Sequence, residues 1–313
     1  MESLFDVAQG TQRWKRRVGR WQTVSEVVDP RRLEVRAVSE RAAKQFILEH
    51  HYSNSYPAAK LRYGLIDTPS GRLMGVAVLG VPMQARVLTN VFPTLEPYGE
   101  SLELSRLVLL DDPIVGANAE SWMLARVFSD AAKCGVRGVV AFSDPQPRRH
   151  CDGHLVLPGH VGYIYQALNG HYLGRGTARI LTVLPDATVL TDRSMSKVRQ
   201  QERGHAYVEA RLAELGASPR AAFESPSRWL TKALQDVGAV RVHHRGNHRY
   251  AWAIGPKTRR IQINADDRPF PKRIDPIPSV VERPLSPWTS WPGGGDLISM
   301  ARPAEAAAQF ELR

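Results

Sequence analysis

The chain has 313 residues, 43% of them hydrophobic and seven of them Trp, enough apolar material for a substantial core and too much for global disorder. Lys and Arg number 42 against 31 Asp and Glu, a formal net charge of +11. A polyanionic partner is therefore expected, nucleic acid ahead of membrane, because neutralising phosphates releases counterions; a solvated basic surface is the plain alternative. No apolar run nears the ~20 residues that cross a bilayer. The opening MESLFDVAQG lacks a charged-then-apolar signal pattern, so a cytoplasmic protein without a membrane partner is expected. Cys134 and Cys151 read as free thiols, and no CxxC pair points to structural zinc.

Residues 1–34 form a basic arm in which Arg13, Lys15, Arg16, Arg17 and Arg20 interleave with Trp14 and Trp21. That mixture suits phosphate contact and base stacking; an arm packing its two Trp onto the domain is an equal reading. The compact fold begins with an alternating strand, LEVRAV, and Ser39 then caps a helix over 40–51. Strands over 61–67 and 72–80 flank the turn Thr68-Pro69-Ser70-Gly71. ELSRLVLL predicts the next strand, placing Arg106 on one face and Glu103 on the other. A helix opening at Asn118 or Ala119 runs through Lys133 and ends at Gly135.

The stretch 134–170 carries the most chemistry. A buried strand over 136–143 ends in Ser143-Asp144-Pro145, and a polar loop leads to a short helix over 161–168 bearing Tyr165. A carboxylate at the carboxyl end of a strand, facing the next helix, is a common way to build a reactive cleft. Asp144 as a simple cap before proline is an even alternative. Residues 172–184 complete this core as a strand or hairpin.

Beyond Pro185 a basic helix is predicted over 193–213, and a second over 226–237 with Ser225 as cap and Pro226 in its first turn. Lys197, Arg199 and Arg203 on the first would lie along a DNA backbone, giving affinity more than sequence choice, or else face solvent. RVHHRGNHRYAWAI reads as a hairpin turning at Gly246-Asn247, with Arg245 and Arg249 as further DNA contacts and His243, His244 and His248 as surface groups or phosphate contacts rather than ligands. From residue 266 onward, recurrent proline and Gly293-Gly294-Gly295 predict an extended or disordered tail. The expected organisation is an arm (1–34), a core (35–190), a basic helical and hairpin extension (191–264) and the tail (265–313).

The order of elements is similar to the GNAT-type N-acyltransferase fold, an α/β (α+β) arrangement. Its mixed central sheet, flanked by helices, would splay between the ELSRLVLL and VVAFSDP strands, here with a basic helical C-terminal extension. A narrower match is carried by His51-Tyr52-Ser53, Leu104-Ser105-Arg106, Ser143-Asp144-Pro145, the run Gly159-His160-Val161-Gly162-Tyr163-Ile164-Tyr165-Gln166-Ala167, and GNHRYAW. Together they resemble the Mom DNA-modification family of phage Mu and its relatives, over about residues 35–254. The resemblance implies a phage-encoded transferase, acting in the bacterial host, that converts adenine N6 in double-stranded DNA to a carbamoylmethyl-type group and shields that DNA from restriction. Carried onto this sequence, His51, Tyr52, Arg106, Asp144 and Tyr165 would line the site, with Ser121 nearby. The usual acyl-CoA signature is missing. Gly116, Ala117 and Asn118 stand in its place, where a helix N-terminus would receive the phosphates of acetyl-CoA or serve another acyl or aminoacyl donor, tRNA-borne ones included. Residues 146–158, QPRRHCDGHLVLP, look like an inserted lid or DNA-contacting loop.

Adenine N6 is a poor nucleophile, so its modification needs orientation, a timed proton transfer and stabilisation of charge on the donor. The base must also leave the duplex stack. Tyr52, Tyr56, Tyr163 and Tyr165 are candidate stacking platforms, or ordinary packing residues. His51, Tyr52, Asp144 and Tyr165 further make a mixed N and O donor set that suits iron over zinc. Two rival functions remain: an N-acyltransferase acting on a small-molecule or protein amine, and a non-catalytic basic phage DNA-binding protein.

Overall fold

The computed structural model describes residues 10–15, 18–23, 26–53, 55–257, 261–266, 268–277 and 280–282. The chain opens with β1 (Gly10–Lys15), β2 (Val18–Thr23), β3 (Leu33–Ala37), α1 (Glu40–His50), β4 (Ala59–Asp67), β5 (Arg72–Gly80) and α2 (Arg86–Thr89). It continues through β6 (Ser101–Leu109), α3 (Ala119–Lys133), β7 (Gly138–Ser143), β8 (Arg148–Arg149), β9 (Leu155–Leu157), α4 (Tyr163–Ala167) and β10 (His171–Arg175). The last elements are β11 (Arg179–Val183), β12 (Val189–Leu190), α5 (Asp192–Gln200), α6 (His205–Glu214), α7 (Pro226–Asp236), β13 (Val240–His244), β14 (His248–Ala253) and β15 (Val280–Glu282). Two compact units result. One comprises Met1–Pro145, Gly159–Gly176 and Asn247–Ile274; the other Gln146–Pro158, Thr177–Gly246 and Asp275–Arg313.

The first unit holds a seven-stranded sheet in the order β10-β14-β7-β6-β5-β4-β3. Its one parallel pair joins β6 to β7 over Ser101–Leu104 and Gly138–Ala141. Past Leu104 the two strands share no register, so the mixed sheet splays there, as the resemblance implied. Helix α1 starts where the Ser39 hydroxyl accepts the Ala42 N–H at 3.2 Å and buries Ala43, Phe46 and Ile47. Helix α3 buries Met123, Leu124, Val127, Phe128 and Ala131 in the same cluster as Leu65, Met74, Leu102 and Val139 from the strands. Each large side chain so enclosed contributes roughly 1.5–3 kcal/mol.

The predicted 241–254 hairpin is not one. Strand β13 pairs with β11 and β15, whereas β14 pairs with β7 and β10. Burial explains the divergence. Tyr250, Ala251 and Trp252 are consecutive and buried, as befits a strand inside a sheet covered on both faces, whereas β13 alternates between buried and exposed positions. The predicted 172–184 element likewise separates into β10 and β11, which belong to different sheets.

The second unit contains a four-stranded antiparallel sheet, β12-β11-β13-β15, and a small β8–β9 hairpin. Its helices α5, α6 and α7 meet around Met195, Val198, Val208, Leu212, Trp229, Leu230 and Ala233. The single helix predicted over 193–213 is broken, because Gln201 (φ 52°) and Gly204 (φ 94°) adopt left-handed backbone. The proline-rich stretch is not wholly free either, since β15 pairs with β13. Residues 283–313, with Trp288 and Trp291, lie outside the described residues.

The arm is an antiparallel hairpin of β1 and β2. Arg13, one of the arm residues read as suiting phosphate contact, is buried: it forms an ion pair with Glu120 of α3 and donates from Nη2 to the Gly116 carbonyl at 2.5 Å. Arg16 and Arg17 and the side chains of Trp14, Arg20 and Trp21 lie outside the described residues. Among the described residues no helix is long and apolar enough to cross a membrane.

Candidate active site

Where β6 and β7 part, a cavity of about 280 Å³ opens, at the lower end of the roughly 300–1,000 Å³ usual for small-ligand pockets. His51, Tyr52, Arg106, Asp144 and Tyr165, the five residues carried over for the site, all line it. His51 and Tyr52 sit just past α1, where the His51 N–H donates to the Ile47 carbonyl at 2.9 Å and the two rings tilt together at 4.2 Å. Asp144 follows β7, and its carbonyl accepts the His160 N–H at 2.9 Å. Tyr165 projects from α4 and packs edge-on against Tyr250 and Trp252 at 5.4 and 5.6 Å. Gly162 makes that packing fit: its φ is 85°, and a Cβ there would fall 2.7 Å from Tyr250 and 2.9 Å from Tyr165.

Glu103 corrects the sequence expectation. It lines the same cavity as Arg106 rather than the opposite face. The pairing steps from Val78↔Arg106 to Leu79↔Leu104, a bulge at Ser105 that reverses the alternation. Arg106 donates from Nη1 to the Ser105 carbonyl (2.6 Å) and from Nη2 to Ser55 Oγ (2.9 Å). Its Nε is buried without a hydrogen-bond partner among the described residues, as is Oδ1 of Asn247, another cavity residue.

The electrostatics are those of a desolvated cleft. Burial raises the Glu103 carboxyl above its usual range, opposed by Arg106. Burial also lowers the Arg106 guanidinium, with Tyr52, Glu103 and Tyr165 opposing. His51 is pushed well below 6.5 by burial, then by Arg106 and His160, and is neutral at pH 7. His160 is lowered by burial and partly restored by Asp144. Tyr165 is raised, chiefly by burial and then by Tyr52 and Glu103. The Ser53 N–H donates to His51 Nδ1 at 3.1 Å, which leaves the ring proton on Nε2.

The four residues considered for iron, His51, Tyr52, Asp144 and Tyr165, line one cavity. The neutral His51 presents an N–H at Nε2, the Tyr165 phenol is held protonated, and Arg106 adds positive charge beside both. A cation held there would have Asp144 and the phenols as oxygen donors and would have to displace the Tyr165 proton against the charge of Arg106.

The expected diphosphate cradle does not fit either. The Ala117 N–H donates to the Glu26 carbonyl (2.7 Å), the Val28 N–H donates to the Ala117 carbonyl (2.9 Å), and Gly116 lies so close to Val28 that a Cβ would meet its backbone at 2.8 Å. Asn118 is left-handed (φ 62°) and makes no side-chain cap. The buried Glu120 carboxylate in the first turn of α3 further disfavours an anion. Ser121 does not line the cavity; its hydroxyl donates to the Asn118 carbonyl at 3.0 Å.

Of the other tyrosines, Tyr163 donates its hydroxyl to the Lys272 carbonyl (3.2 Å), and the half-buried Tyr56 does not line the cavity. In the second unit Arg199, Arg203 and Arg245 are exposed and Lys197 is half-buried, with Arg245 3.9 Å from Asp275. Arg249 belongs to the first unit and corrects its expected role: it is half-buried and donates to the Leu173 carbonyl at 2.9 Å. His244 and His248, expected at the surface, are buried; His244 Nδ1 accepts the Gly246 N–H (3.0 Å), and His248 Nδ1 lies 2.7 Å from the Tyr172 hydroxyl.

The profile of the Mom protein family matches residues 32–272. The chain belongs to the Mom protein family. The matched span includes every cavity residue named above and excludes the β1–β2 hairpin that buries Arg13. No curated protein is similar enough to match. Among solved structures, one assigned as a phosphinothricin N-acetyltransferase is 8% identical, with a TM-score of 0.31, over 72% of this chain and 99% of its own. N-acetylglutamate synthase from Neisseria gonorrhoeae, complexed with coenzyme A and N-acetyl-glutamate, is 12% identical (TM-score 0.29) over 72% and 35%. A tandem GNAT protein from the clavulanic acid biosynthesis pathway is 11% identical (TM-score 0.30) over 71% and 70%. Likeness at this level fixes neither substrate nor donor. Within the Mom family assignment, Glu103, Glu120, His160 and Asn247 are cavity residues that sequence reading passed over. His160 and Asn247 stood inside the quoted motifs; Glu103 gave no signal, because its face depends on the bulge.

Proposed function

We propose that this Mom-family chain is a transferase that modifies the exocyclic N6 amine of adenine in DNA, adding a carbamoylmethyl-type group. The observation that carries the reading is the gathering of Glu103 and Asp144, the two cavity carboxylates besides the Arg13-paired Glu120, with Arg106, His51 and the phenols of Tyr52 and Tyr165 around one cavity of about 280 Å³. The size suits a single extruded base. Tyr52 and Tyr165 offer π-faces for it, and the amide oxygen of Asn247, without a hydrogen-bond partner among the described residues, suits the adenine N6–H edge. Glu103, its carboxyl raised by burial, or Asp144 takes the proton that N6 must lose. Arg106 and the Nε2–H of neutral His51 are placed to stabilise negative charge developing on the group donor. The exposed Arg199 and Arg203, with Lys197, supply backbone contacts that hold the DNA without reading its sequence.

Nucleoside analysis of DNA from cells expressing the chain tests this. A new adenosine adduct is expected with the wild type and is lost with Asp144→Asn and Tyr165→Phe. Unmodified adenine from cells that accumulate folded wild-type protein would sink the reading.

A further inference from the structure

Between β8 and β9, the segment His150-Cys151-Asp152-Gly153-His154 forms a tight turn. Gly153 supplies a φ of 92°, its N–H donates to the His150 carbonyl, and the His150 N–H donates to the His154 carbonyl, both at 2.9 Å. The Cys151 N–H donates to the Pro185 carbonyl at 2.8 Å, tying the turn to the rest of the second unit. The backbone is thus fixed independently of any ligand, and it gathers the side chains. The imidazoles of His150 and His154 stack with centroids 4.7 Å apart and planes 17° apart. Their Nδ1 atoms face one oxygen, Asp152 Oδ1, at 3.2 and 2.6 Å.

Hydrogen bonding accounts for part of this grouping: Asp152 Oδ1 accepts the His154 N–H at 3.0 Å and lies 2.6 Å from His154 Nδ1, which leaves the approach of His150 Nδ1 to be explained. The Asp152 N–H donates to His150 Nδ1 at 3.3 Å, so that nitrogen presents a lone pair, and it faces the lone pairs of Oδ1. A cation between them resolves the conflict. The three ligand atoms lie within 4.8 Å of one another, and Cys151 Sγ is 3.4 Å from His150 Nδ1. None of these residues lines the cavity where β6 and β7 part.

We propose that this turn is a binding site for a borderline divalent cation, zinc above all, held by Nδ1 of His150, Oδ1 of Asp152 and Nδ1 of His154. Imidazole and carboxylate ligands favour zinc over magnesium or calcium, and Cys151 Sγ or water completes the coordination. Asp152 and His154 are more than half exposed (57% and 55%), so the ion enters directly from solvent. Once bound, it clasps the β8–β9 hairpin, which carries Arg148 and Arg149. The site is independent of the adenine reading.

The test uses the full chain without an affinity tag, stripped with a chelator and titrated with Zn²⁺ by calorimetry. One zinc per chain is expected. His154→Ala and Asp152→Asn should each weaken it by more than the roughly 10–100-fold typical of losing an outer-shell partner, while the melting transition of the metal-free protein stays unchanged. Titration with Co²⁺ should give the intense visible bands of a tetrahedral site in the wild type, absent from the variants. Zinc binding equal in wild type and a His150→Ala/His154→Ala double variant, or absent from both, overturns the proposal.

Discussion

Glu103 and Arg106 share one face of β6 although their odd spacing would ordinarily split them, and the bulge at Ser105 is the cause. The carboxylate thereby joins Asp144 in the cavity, beside a guanidinium whose Nε has no hydrogen-bond partner among the described residues.

Glu103→Gln should abolish or sharply reduce adenine modification, by the roughly 10²–10⁴-fold typical of losing a general base. Because burial raises the Glu103 carboxyl, the wild-type rate should rise with pH through a midpoint above the usual carboxylate value, a step missing from residual activity in the variant. A pH–rate profile unchanged by the substitution would assign the proton to Asp144 instead.

Acid should destabilise the fold early. His51 and His160 titrate below 6.5 in the folded chain, so the unfolded state binds more protons than the folded one as pH falls from 6.5 through the folded values. Stability is therefore whole above that window and lost within it. Melting curves between pH 7 and 5 should show the fall, and His160→Asn should flatten it. An identical slope in the variant would place the acid sensitivity elsewhere.

Arg13→Ala should cost roughly 3–5 kcal/mol, because it strands the buried Glu120 carboxylate. An Arg13→Leu/Glu120→Leu double variant should recover much of that loss. Denaturant titration of the three proteins gives the comparison, and a double variant no more stable than Arg13→Ala would show that the stranded carboxylate is not the cause.

Replacing Lys197, Arg199 and Arg203 together with Ala should weaken DNA binding uniformly across sequences. The slope of log affinity against log salt should fall by about 2–3, near ~0.9 for each lost phosphate contact. An unchanged slope would move the backbone contacts to another surface.

Gly162→Ala should destabilise the chain by more than about 1 kcal/mol, since its φ of 85° disfavours a side chain and the added Cβ meets both Tyr165 and Tyr250. Displacement of Tyr165 should reduce modification further than the stability loss accounts for, as activity normalised to folded protein would show.

By itself the sequence determined much of this protein: the Ser39-capped helix, the Thr68–Gly71 turn between β4 and β5, the helix closed by Gly135, and five residues of the cavity. These follow from local chemistry, namely a cap, a turn and a hydrophobic period, or from short motifs whose order survives in the chain. The tertiary structure alone decided that β13 and β14 part company at Gly246-Asn247, because strand partners are chosen by burial on both faces. It alone brought Glu103 to Arg106, since one extra residue in a strand changes facing without changing composition. It also turned Arg13 inward onto Glu120: a charge is written the same way in sequence whether water or a carboxylate will compensate it, and only the folded chain makes that choice.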